Sequence, residues 1–168
     1  NEARSKYGSR VGIYHSMFNE FVPEEKYDVV LATNILEHVE DPVSVLRCIH
    51  NWLNPDGKVL ITVPNSESLH RRLAVLMDLQ PALDTLSPRD HIVGHLRVYS
   101  SDSLNADIIE AGFDIAEEVG FTLKVLPNSM MSEWPENLCL AMHDISPQLP
   151  RNFTANIGAV VTKTIQKK

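Results

Sequence analysis

The apolar run Val29-Val30-Leu31-Ala32 gives way at once to polar Thr33 and Asn34, then to Ile35-Leu36-Glu37-His38-Val39 and to Asp41-Pro42. This pattern predicts a buried parallel strand ending in a loop, with a helix opening at the Asp-Pro pair. Asp41 is a good N-cap, and Pro42 fits the first helical turn, where a missing N–H costs nothing. Val45, Leu46, Ile49, Trp52 and Leu53 follow at helical spacing and predict one buried stripe. Asn54-Pro55-Asp56-Gly57 predicts a turn, and the β-branched run Lys58 to Val63 a central parallel strand.

Before this block, residues 1–10 read as the end of a helix stopped by Gly8, Val11 to Tyr14 as a short strand, and His15 to Phe21 as the loop leaving it. After it, Ser66 to Leu79 predicts a helix with Leu69, Leu73, Leu76 and Met77 on one side, and Arg71 and Arg72 on a solvated face. Pro81 to Val98 has no sustained period and reads as a long loop or lid, a type of segment that is often functional. Ser101 is expected to cap a helix that buries Leu104, Ile108 and Ile109 and stops at Gly112. Two strands are expected around Gly120, a loop-rich insertion at residues 127–151, a final strand from Ile157 to Thr164, and a solvated tail from Gln166 to Lys168.

With 168 residues, 43% of them apolar, the chain is long enough for one domain with a real core. Its net charge of −7 argues against a nucleic-acid surface, which usually shows clustered Lys and Arg. No run reaches the ~18 apolar residues of a membrane helix, so no membrane span is expected. Cys48 and Cys139 form no metal-type pair and read as reduced thiols of a cytoplasmic protein. Asp90, His91 and His95 are of metal-ligating types, but no third and fourth ligands accompany them at a known spacing, so no metal is expected.

Ligands of doubly wound sheets bind outside the carboxyl ends of the strands, which places Ala32 to His38 at a site. Tyr27-Asp28-Val29-Val30-Leu31, Leu36-Glu37-His38-Val39 with Asp41-Pro42, and Leu53-Asn54-Pro55-Asp56-Gly57 before Val59 to Asn65 resemble class I S-adenosylmethionine-dependent methyltransferases. Gly94-His95-Leu96-Arg97-Val98-Tyr99-Ser100 and Ala111-Gly112-Phe113 are similar to the ubiquinone-biosynthesis-like branch of that family. The resemblance implies an α/β, Rossmann-like fold. Residues 1–168 would form a single methyltransferase-like domain, the C-terminal portion of a seven-stranded, mainly parallel sheet with an antiparallel last strand.

The family's glycine-rich turn and its first two strands have no counterpart, because none of the seven glycines, at 8, 12, 57, 94, 112, 120 and 158, forms such a turn. An N-terminal segment supplying those strands is therefore expected. The resemblance implies S-adenosyl-L-methionine as cofactor, with Ser16, Met17 and Phe18 near its adenine and Thr33 and Asn34 near its methionine end. His38 is the candidate general base, with a structural role at the helix entrance as the competing reading. His95, Arg97, Tyr99 and Trp134 are the candidates for contact with a small-molecule acceptor, and a homodimer is allowed. The expected reaction is methyl transfer to an O, N or C nucleophile. The alternatives are a dinucleotide-type Rossmann enzyme and an inactive methyltransferase-like scaffold.

Overall fold

The structure, a computed structural model, describes residues 2–8 and 10–164. Helix α1 (Glu2–Tyr7) is followed, with no strand between them among the described residues, by β1 (Tyr27–Thr33), a 3-10 turn (Leu36–His38) and α2 (Pro42–Trp52). There follow β2 (Leu53–Pro64), α3 (Leu69–Leu76), α4 (Pro88–Val93), α5 (Ser101–Glu110) and β3 (Phe113–Leu123). Short α6 (Asn128–Met131), α7 (Glu136–Ile145), two further 3-10 turns and β4 (Thr154–Lys163) complete the described chain. The sheet order is β1-β2-β4-β3, with β1 parallel to β2 and β4 antiparallel to both neighbours. The last strand is thus antiparallel, as expected, and four strands are present among the described residues.

Alternation along β2 and β4 puts the core on one face of the sheet. Val59 pairs with Val161, Ile61 with Ala159 and Val63 with Ile157, and all six are fully buried. Helices α2 and α5 cover this face through Leu46, Ile49, Leu104 and Ile108, joined by Leu53, Tyr99 and Phe113. Full burial of each such aliphatic side chain contributes about 1.5–3 kcal/mol. Helix α2 starts as its sequence demands: the Asp41 carboxylate accepts the Ser44 N–H at 2.9 Å, and Pro42 occupies the first turn.

The structure revises several expectations. Strand β1 lies at the sheet edge, so only Ala32 is buried, while Val29 and Leu31 are 61% and 64% exposed. No strand forms at Val11 to Tyr14, where no neighbouring strand supplies hydrogen bonds. Asn54 to Gly57 does not end the helix in a separate turn. Tyr27 pairs with Leu53 and Val29 with Lys58, so these residues bulge out within β2. The α5 cap is Ser100, whose hydroxyl accepts the Ser103 N–H, and Ile109 faces solvent.

Gly120 continues β3 rather than dividing it. A Cβ there would come within 2.7 Å of the Arg151 Cβ, so glycine permits close approach of the chain entering β4. The strand's irregularity falls instead at Ala116, between the Ile115 and Glu117 pairings. Residues 127–151 are largely helical rather than loop. On α3 the buried residues are Arg71 and Ala74, Leu69 and Leu73 are half-buried and Leu76 is 79% exposed, so Arg71 does not lie on the solvated face expected of it. The expected tail from Gln166 to Lys168 lies outside the described residues. No helix among the described residues is long and apolar enough to cross a membrane.

Candidate functional site

At the carboxyl end of β1, Asn34 turns the chain with φ 52, a left-handed conformation that Asn tolerates better than most residues. Its N–H donates to the Thr62 carbonyl at 2.8 Å, and the Thr33 and Asn34 side chains stay exposed. The apolar Leu36 then anchors the 3-10 turn in the core and carries Glu37 inside with it. Glu37 is fully buried, and neither carboxylate oxygen has a hydrogen-bond partner among the described residues. Burial pushes its carboxyl above the ordinary value, opposed by the dipole of its own backbone N–H and by the nearby His38 and His95.

His38, exposed at the end of the turn, places Nδ1 3.2 Å from the Gly94 carbonyl oxygen. A carbonyl only accepts, so Nδ1 carries a proton, and in the neutral ring Nε2 is the nitrogen left without one. The supporting carbonyl comes from the end of α4, which is punctuated at both ends. Ser87 and Asp90 form a capping box, Pro88 starts the helix, and Gly94 at φ 82 closes it. The segment predicted as a lid is therefore pinned. The Leu96 N–H donates to the Glu37 carbonyl at 2.8 Å, and the Arg97 guanidinium donates to the carbonyls of Leu36, Val39 and Glu40 at 3.2, 2.6 and 3.0 Å.

His95 brings its ring against His38, with centroids 4.7 Å apart at 72°. Its Nδ1 lies 3.0 Å from Asp90 Oδ1, and the other Asp90 oxygen receives Arg71 at 2.9 Å and the Ser87 N–H at 2.7 Å. Burial works to raise the Asp90 carboxyl, but the Ser87 hydrogen bonds and the Arg71 guanidinium hold it below the usual carboxylate range. Glu37, His38 and His95 each offer one ligand atom within 4.8 Å of the others. A carboxylate and two imidazoles suit a divalent cation, as well as proton transfer. Sequence reasoning singled out Asp90, His91 and His95 as metal-ligating types; the fold pairs Asp90 with His95, leaves His91 exposed and supplies Glu37 and His38 instead.

The remaining candidates are dispersed. Tyr99 is 2% exposed and donates its hydroxyl to Asp107 at 3.0 Å; burial first, then the Asp107 charge, pushes its phenol well up. Trp134 sits half-buried between α6 and α7. Ser16 and Met17 are exposed, and Phe18 stacks on Trp52 at 6.2 Å. Trp52 adjoins Leu53, the partner of Tyr27, so Phe18 lies at the opposite end of β1 from Asn34, about 20 Å away along the strand. The structure does not bring Ser16, Met17 and Phe18 together with Thr33 and Asn34. A groove of about 850 Å³ lined by His50, Ile109, Phe113 and Ile115 also lies away from the two histidines.

His70 on α3 carries a separate consequence. Burial first, then Lys124 and Arg71, pushes its imidazole from 6.5 down to about 3, and its Nδ1 is buried without a partner. The unfolded chain therefore binds a proton that the folded chain refuses between about pH 6.5 and 3, so stability falls as pH drops through that window. His70→Gln is expected to flatten that fall in urea melts taken from neutral pH to the acid end of the window. Parallel profiles for the two proteins would rule His70 out as its cause.

A family model described as "Methyltransferase domain" matches residues 3–118. The chain is 29% identical over 116 residues to a ubiquinone biosynthesis O-methyltransferase of Pseudomonas aeruginosa, covering 67% of this chain and 49% of that protein. It thus spans about half the length of the curated relatives it matches. Among solved structures, a SAM-dependent methyltransferase from Thermotoga maritima aligns with TM-score 0.63 at 19% identity, covering 97% of this chain and 68% of that one. The O-methyltransferase of a trans-AT PKS multienzyme from Brevibacillus brevis, in complex with S-adenosyl-L-homocysteine, aligns with TM-score 0.54 at 14% identity, covering 96% of this chain and 52% of that one. These two likenesses are of fold.

Proposed function

Because the chain belongs to the methyltransferase-domain family, we propose that it serves S-adenosylmethionine-dependent methyl transfer to a nucleophile of a small molecule, with a hydroxyl oxygen favoured. The observation that carries this reading is the His38 imidazole, held through Nδ1 by the Gly94 carbonyl beside Glu37 and His95, at the carboxyl end of β1. The cofactor supplies an electrophilic methyl group on a sulfonium. The exposed Thr33 and Asn34 fit its methionine end, whereas no described residue replaces the family's glycine-rich turn. Transfer by in-line displacement needs chiefly proximity and orientation, and His38 Nε2 takes the proton that an attacking hydroxyl loses. His95 lies against the His38 ring, where an acceptor hydroxyl would approach, and Arg97 fixes the turn beneath it through the carbonyls of Leu36, Val39 and Glu40.

The unpartnered carboxylate of Glu37 favours a second role for the same groups, holding a divalent cation that orients the acceptor oxygen. The four strands are read as part of a seven-stranded sheet, which is supported by the apolar Val29 and Leu31 left exposed on β1. Calorimetric titration of S-adenosylhomocysteine into this chain, and into the chain extended by upstream strands, tests both readings. Saturable binding to either is the expected result, and binding only by the extended chain would assign the glycine-rich turn to the added strands. Absence of binding by both folded proteins would overturn the catalytic reading in favour of a scaffold.

A further inference from the structure

We propose that Asp90 is a positioning residue for the Glu37–His38–His95 cluster, fixing His95 as the Nδ1–H tautomer so that its bare Nε2 is left for the cluster. The inference rests on reading that cluster as the reactive centre. An ionised carboxylate only accepts, so the 3.0 Å contact between Asp90 Oδ1 and His95 Nδ1 puts the proton on Nδ1. In the neutral form each of the two imidazoles then keeps its Nε2 without a proton beside the Glu37 carboxyl group, the condition both for taking a substrate proton and for ligating a cation.

Asp90 is itself held from three directions. Arg71 donates to Oδ2, the Ser87 N–H donates to the same oxygen, and the Asp90 N–H returns to the Ser87 hydroxyl at 3.1 Å. Arg71 has no freedom to follow a shifted carboxylate, because its other terminal nitrogen donates to the carbonyls of Leu83 and Thr85 at 3.2 and 2.8 Å. The side chains of Arg71, Asp90 and His95 are 8%, 13% and 13% exposed, so water competes poorly for these bonds. The line Arg71–Asp90–His95 therefore ties α3 and α4 to the orientation of one ring. An ion pair kept only to fasten the helices would not require the histidine to complete it.

The test is nitrogen-15 NMR of the histidine rings, which reports each tautomer directly and needs neither acceptor nor cofactor. Wild-type His95 is expected to be Nδ1-protonated when neutral. Asp90→Asn, close in shape to the native residue, should move it toward the Nε2–H tautomer, as should the paired Arg71→Met/Asp90→Leu variant, which leaves no buried charge behind. Asp90→Glu should restore the native tautomer at least in part. Titration with Mn2+ gives a second readout, with affinity about 10–100-fold weaker in the Asn variant. Wild-type His95 found as Nε2–H, or a tautomer unmoved in both variants, overturns the proposal. A native tautomer that shifts as expected in a chain that binds no Mn2+ upholds the positioning role and removes the cation reading alone.

Discussion

Replacing Arg71 by Met is expected to cost about 3–5 kcal/mol of folding stability, because it leaves the Asp90 carboxylate buried without its guanidinium. That is a large share of the roughly 5–15 kcal/mol that holds a typical domain together. The neutral Met side chain preserves much of the packing volume, so the loss reports the uncompensated charge rather than a cavity. Urea denaturation at neutral pH should show a lower midpoint with an unchanged slope. The double variant Arg71→Met/Asp90→Asn should recover part of the loss, since no bare charge remains. A single-variant loss below about 1 kcal/mol would mean that the pair behaves as an exposed one and that the α3–α4 contact opens to water.

His38→Ala is expected to lower kcat by about 10²–10⁴-fold with a hydroxyl acceptor, the range a positioned general base contributes. Formation of S-adenosylhomocysteine measures it, using the chain form that binds the cofactor. The KM for S-adenosylmethionine should change little, because Thr33 and Asn34 rather than His38 face its methionine end in this reading. The fold should survive, since His38 is exposed and its one described side-chain hydrogen bond is to the Gly94 carbonyl. An unchanged kcat would remove proton transfer to His38 and leave catalysis to orientation. Restoration of the variant by added Mn2+ would instead show that His38 acts as a ligand to a cation.

The parts legible in the sequence are those whose causes are local. Asp41-Pro42 marks the start of α2 because the cap and the first turn are made by neighbouring residues, and β2 and β4 show in their β-branched runs. Leu36-Glu37-His38-Val39 marks one half of the site for the same reason. Arg71 was misplaced because a charged residue at helical spacing reads as solvated unless its partner is known, and Asp90 lies on another helix. The open edge of β1 follows from the strands that have no counterpart, but the exposure of Val29 and Leu31 was hidden, since their apolar run carries the pattern of a covered strand. Helix α7 was missed because Leu138, Leu140 and Met142 are spaced by two and a run of prolines brackets the segment. The meeting of His95 with His38 is a tertiary event, set by Gly94 and by the carbonyls that Arg97 gathers.

The position of β4 between β2 and β3 has a consequence for synthesis on the ribosome. β2 and β3 leave the exit tunnel with the lane between them empty, and they do not hydrogen-bond to each other. Both keep an open edge until Thr154 to Lys163 emerges to fill the lane, so closure of the sheet is a late, long-range step. A nascent chain halted before Thr154 would present two apolar edges at once, the kind of surface that chaperones hold.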